Sequence, residues 1–339
     1  MKEFTAIILA DSISSQMRSK KPDAIQKICG KPLAYYVINA AKAAGASRVV
    51  TVTGEYGNAV RAALGDDTEY AETASKVNEG DNYVILSGNA PFTSIRRNQG
   101  NTVSLCDDFQ VTNRMQLAEA EEMMQKHING MHMRNGVTIH TPSTVFIDVD
   151  VKIGADTEIF GNVIIEKGSL IGEDVVITSG SRISNSEIGD GVSIQTSVIL
   201  DSEIRENTTV GPFAYVRPNC VVGSNARIGD FVELKNTNIG NGTKVSHLTY
   251  VGDSDVGENC NFGCGTVTVN YDGKKKYRTT IGNNVFIGCN SNLVAPVTLK
   301  DGAYTAAGST ITDEVPENNL AIARARQVNK ETWKDRRTK

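Results

Sequence analysis

From Val145 onward the chain sets an aliphatic residue at about every sixth position, and this period restricts its fold more than any other feature. Ile153, Ile159, Ile165, Ile171, Ile177 and Ile183 open the series. A five-residue step leads to Ile188, Ile194 and Leu200, and a four-residue step to Ile204, Val210, Val216, Val222, Ile228 and Leu234. Ile239, Val245 and Val251 follow, then Val256, Phe262 and Thr268, then Ile281, Ile287, Leu293, Leu299, Thr305 and Ile311. Of these 27 positions, 24 are Ile, Leu or Val, and 12 are followed directly by Gly. A period of six does not fit a helix of 3.6 residues per turn; it fits a short strand and a tight turn, with one aliphatic side chain inward per strand. Three such strands close one coil of a prism, and stacked coils bury a continuous aliphatic column. The glycines supply turn conformations that other residues resist. The spacing leaves the hand of the coil open.

Residues 1–115 follow another pattern. The apolar run 4–10 reads as a buried parallel strand, 33–44 as a helix capped by Gly45, 48–53 as a strand, 58–64 as a helix and 83–86 as a strand. That βαβ series predicts a doubly wound, Rossmann-like α/β domain. Residues 116–127 form a helix pattern, with Gly130 and Gly136 breaking the chain after it. The expected domains are therefore 1–115, a helical connector over 116–136, a β-helix over 137–317 and a tail over 318–339.

Composition removes several function classes. With 35 Lys+Arg against 39 Asp+Glu and 6% aromatic residues, the chain lacks the basic excess and stacking platforms of a nucleic-acid binder. No run reaches the ~18 apolar residues of a membrane span. The run 4–10 meets Asp11 with no small-residue cleavage site, which reads as a strand and not a signal peptide. The six cysteines contain no CxxC, and Cys260 and Cys264 lack matching His ligands, so free thiols in a reducing cytoplasm are expected and no metal site. A three-His metal site of the carbonic anhydrase kind lacks ligands, since the repeat offers only His247 and, at its edge, His140. One segment, 269–280, escapes the period and carries Asn, Tyr, Asp and four cations, which marks it for chemistry.

The motifs Gly211-Pro-Phe-Ala-Tyr-Val-Arg-Pro218, Gly229-Asp-Phe-Val-Glu-Leu-Lys235, Ser246-His-Leu-Thr-Tyr-Val-Gly-Asp253, Asn261-Phe-Gly-Cys-Gly-Thr266 and Asn270-Tyr-Asp-Gly273 occur in this order. Together with Leu293-Val-Ala-Pro-Val297, Ala306-Ala-Gly308 and Leu320-Ala-Ile-Ala-Arg324, they closely resemble one family. It is the bifunctional N-acetylglucosamine-1-phosphate uridyltransferase/glucosamine-1-phosphate N-acetyltransferase family, in its C-terminal half. The resemblance implies a left-handed β-helix, acetyl transfer from acetyl-CoA to the amine of glucosamine 1-phosphate, and a homotrimer with acetyl-CoA in the clefts between prisms. It implies His247 as general base, since an imidazole accepts a proton near neutral pH. It further implies Arg217, Lys235 and Lys276 as cations for the sugar phosphate, and Tyr250 and Asn261 as sugar contacts. Asn270 and Tyr271 would face acetyl-CoA, with Asn270 orienting the amine or the imidazole. Cys264, Cys289 and Ala307 match cofactor-lining positions where the family often has Ala, Ser and Ala. Arg324 matches a cation near the CoA phosphates. A thiolate at Cys264 or Cys289 could in principle take the acetyl group first; no His adjoins either in sequence, and the family transfers directly.

The N-terminal half resembles the family's nucleotidyltransferase domain with its chemistry removed. The phosphate loop Leu-Ala-Ala-Gly-x-Gly-Thr-Arg-Met appears as Leu9-Ala10-Asp11-Ser12-Ile13-Ser14-Ser15-Gln16-Met17. The Pro-Lys dipeptide is Pro22-Asp23, and the two metal-holding positions are Asn89 and Thr112. Between about Thr93 and Asp107 a large piece of the family's domain is missing. Gly30-Lys31-Pro32, the helix after it, Gly88 and Pro91 survive as scaffold. A folded remnant without Mg²⁺ or uridyltransferase activity is expected. Two other outcomes stay open: acetylation of a different amino sugar, and a scaffold or regulatory subunit.

Overall fold

The computed structural model describes residues 4–77, 83–97, 103–106 and 109–331. Asp107, the Cys106 side chain and the end of the expected tail, with Trp333, lie outside the described residues. The chain divides into two compact units, Met1–Arg134 with Val145–Val151, and Asn135–Thr144 with Lys152–Lys339.

In the first unit, β1 (Thr5–Leu9), β2 (Arg48–Val52), β3 (Glu69–Ala71) and β4 (Tyr83–Ser87) form a parallel sheet in the order β3-β2-β1-β4. Alternate residues of β1 feed two clusters. Ala6 and Ile8 join Val37, Ile38 and Ala41 of α1 (Leu33–Ala43), while Ile7 joins Val50, Val52 and Val77. That division is why β1 reads as an unbroken apolar run: both of its sides are covered. Helix α2 (Gly57–Leu64) contributes Val60 and Leu64 to the first cluster. A short antiparallel pair, Ser94–Arg97 with Val103–Cys106, was not expected from the sequence.

The connector helix α3 spans Arg114–Arg134, so it runs through Gly130 and stops ahead of Gly136, whose φ is +94°. One glycine inside a helix costs only about 1 kcal/mol, and α3 is held by other bonds. Gln125 Nε2 donates to the Ile147 carbonyl and Gln125 Oε1 accepts from Ile147 N–H, each at 3.0 Å, and Asn129 Nδ2 donates to Val145 O. Among the described residues no helix is long and apolar enough to cross a membrane.

The second unit is a parallel β-helix of three faces. Each coil passes from the first face (from Lys152–Ile153 to Val297–Leu299) to the second (from Thr138–Ile139 to Leu320–Ala321) and the third (from Ile164–Glu166 to Thr310–Ile311). Paired residues one coil apart keep the inward aliphatic column in register: Ile159, Ile177, Ile194, Val210, Ile228, Val245, Phe262 and Ile287 stack on the second face, and all are buried. The third face corrects one expectation. Ile199, fully buried, and not Leu200 pairs with Ile183 and Val216. The step after Ile194 is thus five residues, because that corner is one residue shorter.

The glycines after the inward positions also have another role than turn-making. Gly154, Gly189 and Gly257 do not have positive φ; the left-handed corners are taken by Asn162, Asn185, Asn207, Asn225 and Asn259 among others, residue types that tolerate that conformation. What excludes a side chain at Gly257 is the next coil, since a Cβ there would stand 2.6 Å from the Gly282 carbonyl. Gly257→Ala is accordingly expected to cost about 3 kcal/mol by overpacking, read as a lowered urea midpoint. An unchanged midpoint would remove the coil-contact explanation.

Candidate active site

The residues singled out in the sequence fall into two groups, at the two edges of the third face. The first group sits at the corner between the second and third faces. His247 ends the strand Lys244–His247, paired with Asp230 on the coil before it. Its Nδ1 lies 2.5 Å from Asp230 Oδ1. A carboxylate can only accept, so Nδ1 carries a proton, and in the neutral ring Nε2 is then the lone-pair acceptor. The ring in turn holds the Asp230 carboxyl below its ordinary range, chiefly through that hydrogen bond. Counting two residues beyond the stacked Val245, Phe262, Ile287 and Thr305, the same corner carries His247, Cys264, Cys289 and Ala307 in successive coils. Asn290 N–H donates to Cys264 O and Gly308 N–H to Cys289 O, both at 2.8 Å. Thr305 pairs with Ala321, so Ala323 takes the equivalent position one coil further, and exposed Arg324 follows it in sequence. Asn261 is half-buried on the second face beside Lys244 and Phe286.

The second group sits where the third face turns into the first. Asp253 occupies a left-handed corner (φ +48°) with its carboxylate held between two amides: Asn236 Nδ2 donates to Oδ1 at 2.6 Å and Asn270 Nδ2 to Oδ2 at 2.5 Å. This clamp fixes the Asn270 side chain, which also reaches Tyr250 Oη at 3.4 Å. Arg217 and Lys235 occupy successive coils here, as the Arg217 N–H bond to Leu234 O shows. Lys276 beside Lys235 pulls that ammonium below its ordinary value; burial and Arg217 act in the same direction, and Asp253 opposes them. Arg217 is already engaged, with Nη1 2.8 Å from Glu233 Oε1.

The segment that leaves the period is a hairpin. Tyr277 N–H donates to Asn270 O, Tyr271 bridges Lys276, and Asp272 Oδ1 accepts from the Lys274 and Lys275 amides at 2.7 Å. Arg278 ties its base down with bonds to the Asp255 carboxylate, Ser254 O and Asn236 O. The hairpin is thus tied by bonds within its own chain to the coils before it. Tyr271 and Asn270, expected against the cofactor, lie with the second group and not in the His247 column. Asp230, Glu233, Asp253 and Asn236 were not anticipated, although Asp230 lies 17 residues before His247, which is one coil.

In the first unit, the altered positions take hydrogen-bond partners from within that unit. Asp23, 1% exposed, accepts from Ser14 N–H at 3.0 Å; its second oxygen has no partner, and burial raises its carboxyl above the ordinary range. Asn89 Nδ2 donates to Val111 O, and Thr112 Oγ1 donates to Gln116 Oε1.

Comparison with known proteins places these residues in context. The bacterial transferase hexapeptide (six repeats) family matches residues 201–236 and 278–313, and the three-faced coil is its left-handed β-helix. The bifunctional protein GlmU of Clostridium beijerinckii is 59% identical over 227 residues, 67% of this chain and 50% of that protein. GlmU of Clostridium botulinum is 59% identical and that of Clostridium acetobutylicum 56%. The chain spans about half the length of the curated relatives it matches. A solved UDP-N-acetylglucosamine acyltransferase from Campylobacter jejuni has a TM-score of 0.34 and 18% identity over 56% of this chain and 70% of that one.

Proposed function

We propose that the β-helix transfers an acetyl group from acetyl-CoA to the amine of glucosamine 1-phosphate, giving N-acetylglucosamine 1-phosphate and CoA. The observation that carries this reading is the Asp230–His247 pair at the head of the column formed by Cys264, Cys289 and Ala307. Asp230 fixes the tautomer and Nε2 takes the proton from the substrate nitrogen as it attacks the thioester carbon. The tetrahedral intermediate then collapses, the C–S bond breaks, and the imidazolium can return the proton to the CoA sulfur. The column from His247 to Ala307 spans three coil steps, about 14 Å at strand spacing, which suits a pantetheine arm whose CoA phosphates would meet Arg324 of a neighbouring copy. Lys276 and Arg217 both repel the Lys235 ammonium, a cost that a bound phosphate would relieve.

We further propose active sites shared within a homotrimer, a reading that the separation of the two groups supports. The amine and the phosphate of this substrate sit on neighbouring carbons, whereas three residues of strand, Tyr250–Gly252, about 10 Å, divide the edges of the third face. A neighbouring copy that sets its His247 edge against this chain's cation edge supplies both halves, and a closed ring repeats that contact three times.

We read the first unit as a remnant without uridyltransferase activity, because Asp23 stands where the family has a cation and takes up the Ser14 amide of the loop that would cradle phosphate. A second acceptor class, amino sugars without a 1-phosphate, is favoured by one observation, the prior engagement of Arg217 with Glu233. Mass spectrometry of acetylated products from a panel of amino sugars tests the choice. Glucosamine 1-phosphate should be acetylated roughly 10²-fold more efficiently than glucosamine, as expected from lost charged hydrogen bonds. UTP with Mg²⁺ and N-acetylglucosamine 1-phosphate should release no pyrophosphate. Equal use of both sugars would sink the phosphate assignment, and a lack of acetylation throughout would sink the enzyme reading.

A further inference from the structure

We infer that Cys264 and Cys289 form a dithiol pair that closes reversibly to a disulfide across two coils of the β-helix. Both residues lie two positions beyond the paired Phe262 and Ile287, at the same corner of successive coils. Their backbones are in direct contact. Asn290 N–H donates to Cys264 O at 2.8 Å, and a Cβ on Gly263 would stand 2.8 Å from Cys289 Cα. Stacked residues of neighbouring strands have Cα atoms about 4.8 Å apart, within the ~4.4–6.8 Å span that a disulfide bridges. Access separates this pair from the other thiols. Cys289 is exposed and Cys264 half-buried, whereas Cys29, Cys220 and Cys260 are buried, and burial pushes all three thiols up. Directly stacked side chains leave their Cβ atoms near the far end of the favourable range, so the bond would be easily reduced, as exposed and strained disulfides are.

The oxidant is a small-molecule disulfide, RSSR. The thiolate of one cysteine attacks a sulfur of RSSR, forming a mixed disulfide and releasing RS⁻, which takes up a proton. The second cysteine's thiolate then attacks the protein sulfur of the mixed disulfide and expels the other RS⁻. Two S–H bonds are lost, one S–S bond forms, and RSSR leaves as two RSH. The consequence for activity rests on the acetyl-CoA reading above: the bridge would lie in the column next to His247 and narrow the strip assigned to the cofactor.

The test uses the full chain incubated with oxidised glutathione, with free thiols then blocked by N-ethylmaleimide and peptides mapped by mass spectrometry. The expected product joins the Cys264 and Cys289 peptides, two hydrogens lighter than the reduced pair, and dithiothreitol reverses it. Acetylated sugar, measured directly because thiol reagents would interfere, should fall about 10²-fold on oxidation, as a misplaced cofactor predicts, and recover on reduction. In Cys264→Ala and in Cys289→Ser no linked peptide should form, and in the double variant Cys264→Ala/Cys289→Ser the ratio of oxidised to reduced activity should stay at one. Glutathione remaining on Cys289 with no linked peptide would overturn the pair. A linked peptide with undiminished acetylation would overturn its placement on the cofactor strip. A linked peptide in a protein that acetylates nothing even when reduced supports the pair and counts instead against the proposed function.

Discussion

His247→Ala should lower turnover by roughly 10²–10⁴ while the KM for glucosamine 1-phosphate changes little, because Arg217, Lys235 and Lys276, proposed to hold the phosphate, lie at the other edge of the face. The ring is exposed and, among the described residues, hydrogen-bonds to Asp230, so the substitution removes a proton acceptor without opening the core. Asp230→Asn tests the same pair from behind. An amide can donate to Nδ1, which favours the tautomer with the proton on Nε2 and no acceptor facing the amine. A loss of about 10–10² in kcat is expected there, with partial recovery in Asp230→Glu. A merely structural aspartate would not show rescue by the longer carboxylate. Near-full activity of His247→Ala at neutral pH would end the base assignment.

Two inactive chains should restore activity when mixed. Arg324→Ala removes the cation assigned to the CoA phosphates, and His247→Ala removes the base at the head of the column. If each site takes its column from one copy and its Arg324 from a neighbour, random mixing leaves about a quarter of the sites with both groups intact. Acetylation at limiting acetyl-CoA should then rise from near the level of either parent toward a quarter of the unsubstituted protein. The measurement requires subunit exchange to be verified, for example by mass spectrometry of intact assemblies. No recovery in verified mixed assemblies, or sedimentation of a fully active monomer, would sink the shared site.

How much of this was legible in the sequence depended on the kind of contact. The inward column was readable because one aliphatic residue per strand leaves a period, and β1 was readable because both of its sides are buried. Ile199 against Leu200 was not, since two adjacent aliphatic residues each fit the pattern and only the coil above and below decides which one turns inward. The glycines were located but explained by the wrong force: φ says nothing of what lies one coil away. Asp230 and Asp253 were missed for a related reason. Their partners His247, Asn236 and Asn270 stand 17 residues off, a distance that means adjacency only once the coil length is known. Motif order pointed to the residues of both groups, yet it could not show that the third face separates them. The helix α3 overran its expected end because a single glycine is a weak stop when side chains on both sides of it, Ile128 and His132, are buried.

The five-residue step at Ile199 carries a broader consequence. A corner there has lost a residue, and the column on either side has not shifted. The ladder therefore insulates its rungs: each coil answers only to the ones directly above and below it. A change in corner length is absorbed where it occurs, as it is at Ile199 and, in the opposite direction, at the hairpin that opens after Val269. Such a scaffold can be altered rung by rung, gaining or losing a chemical group at one corner, without rebuilding its core.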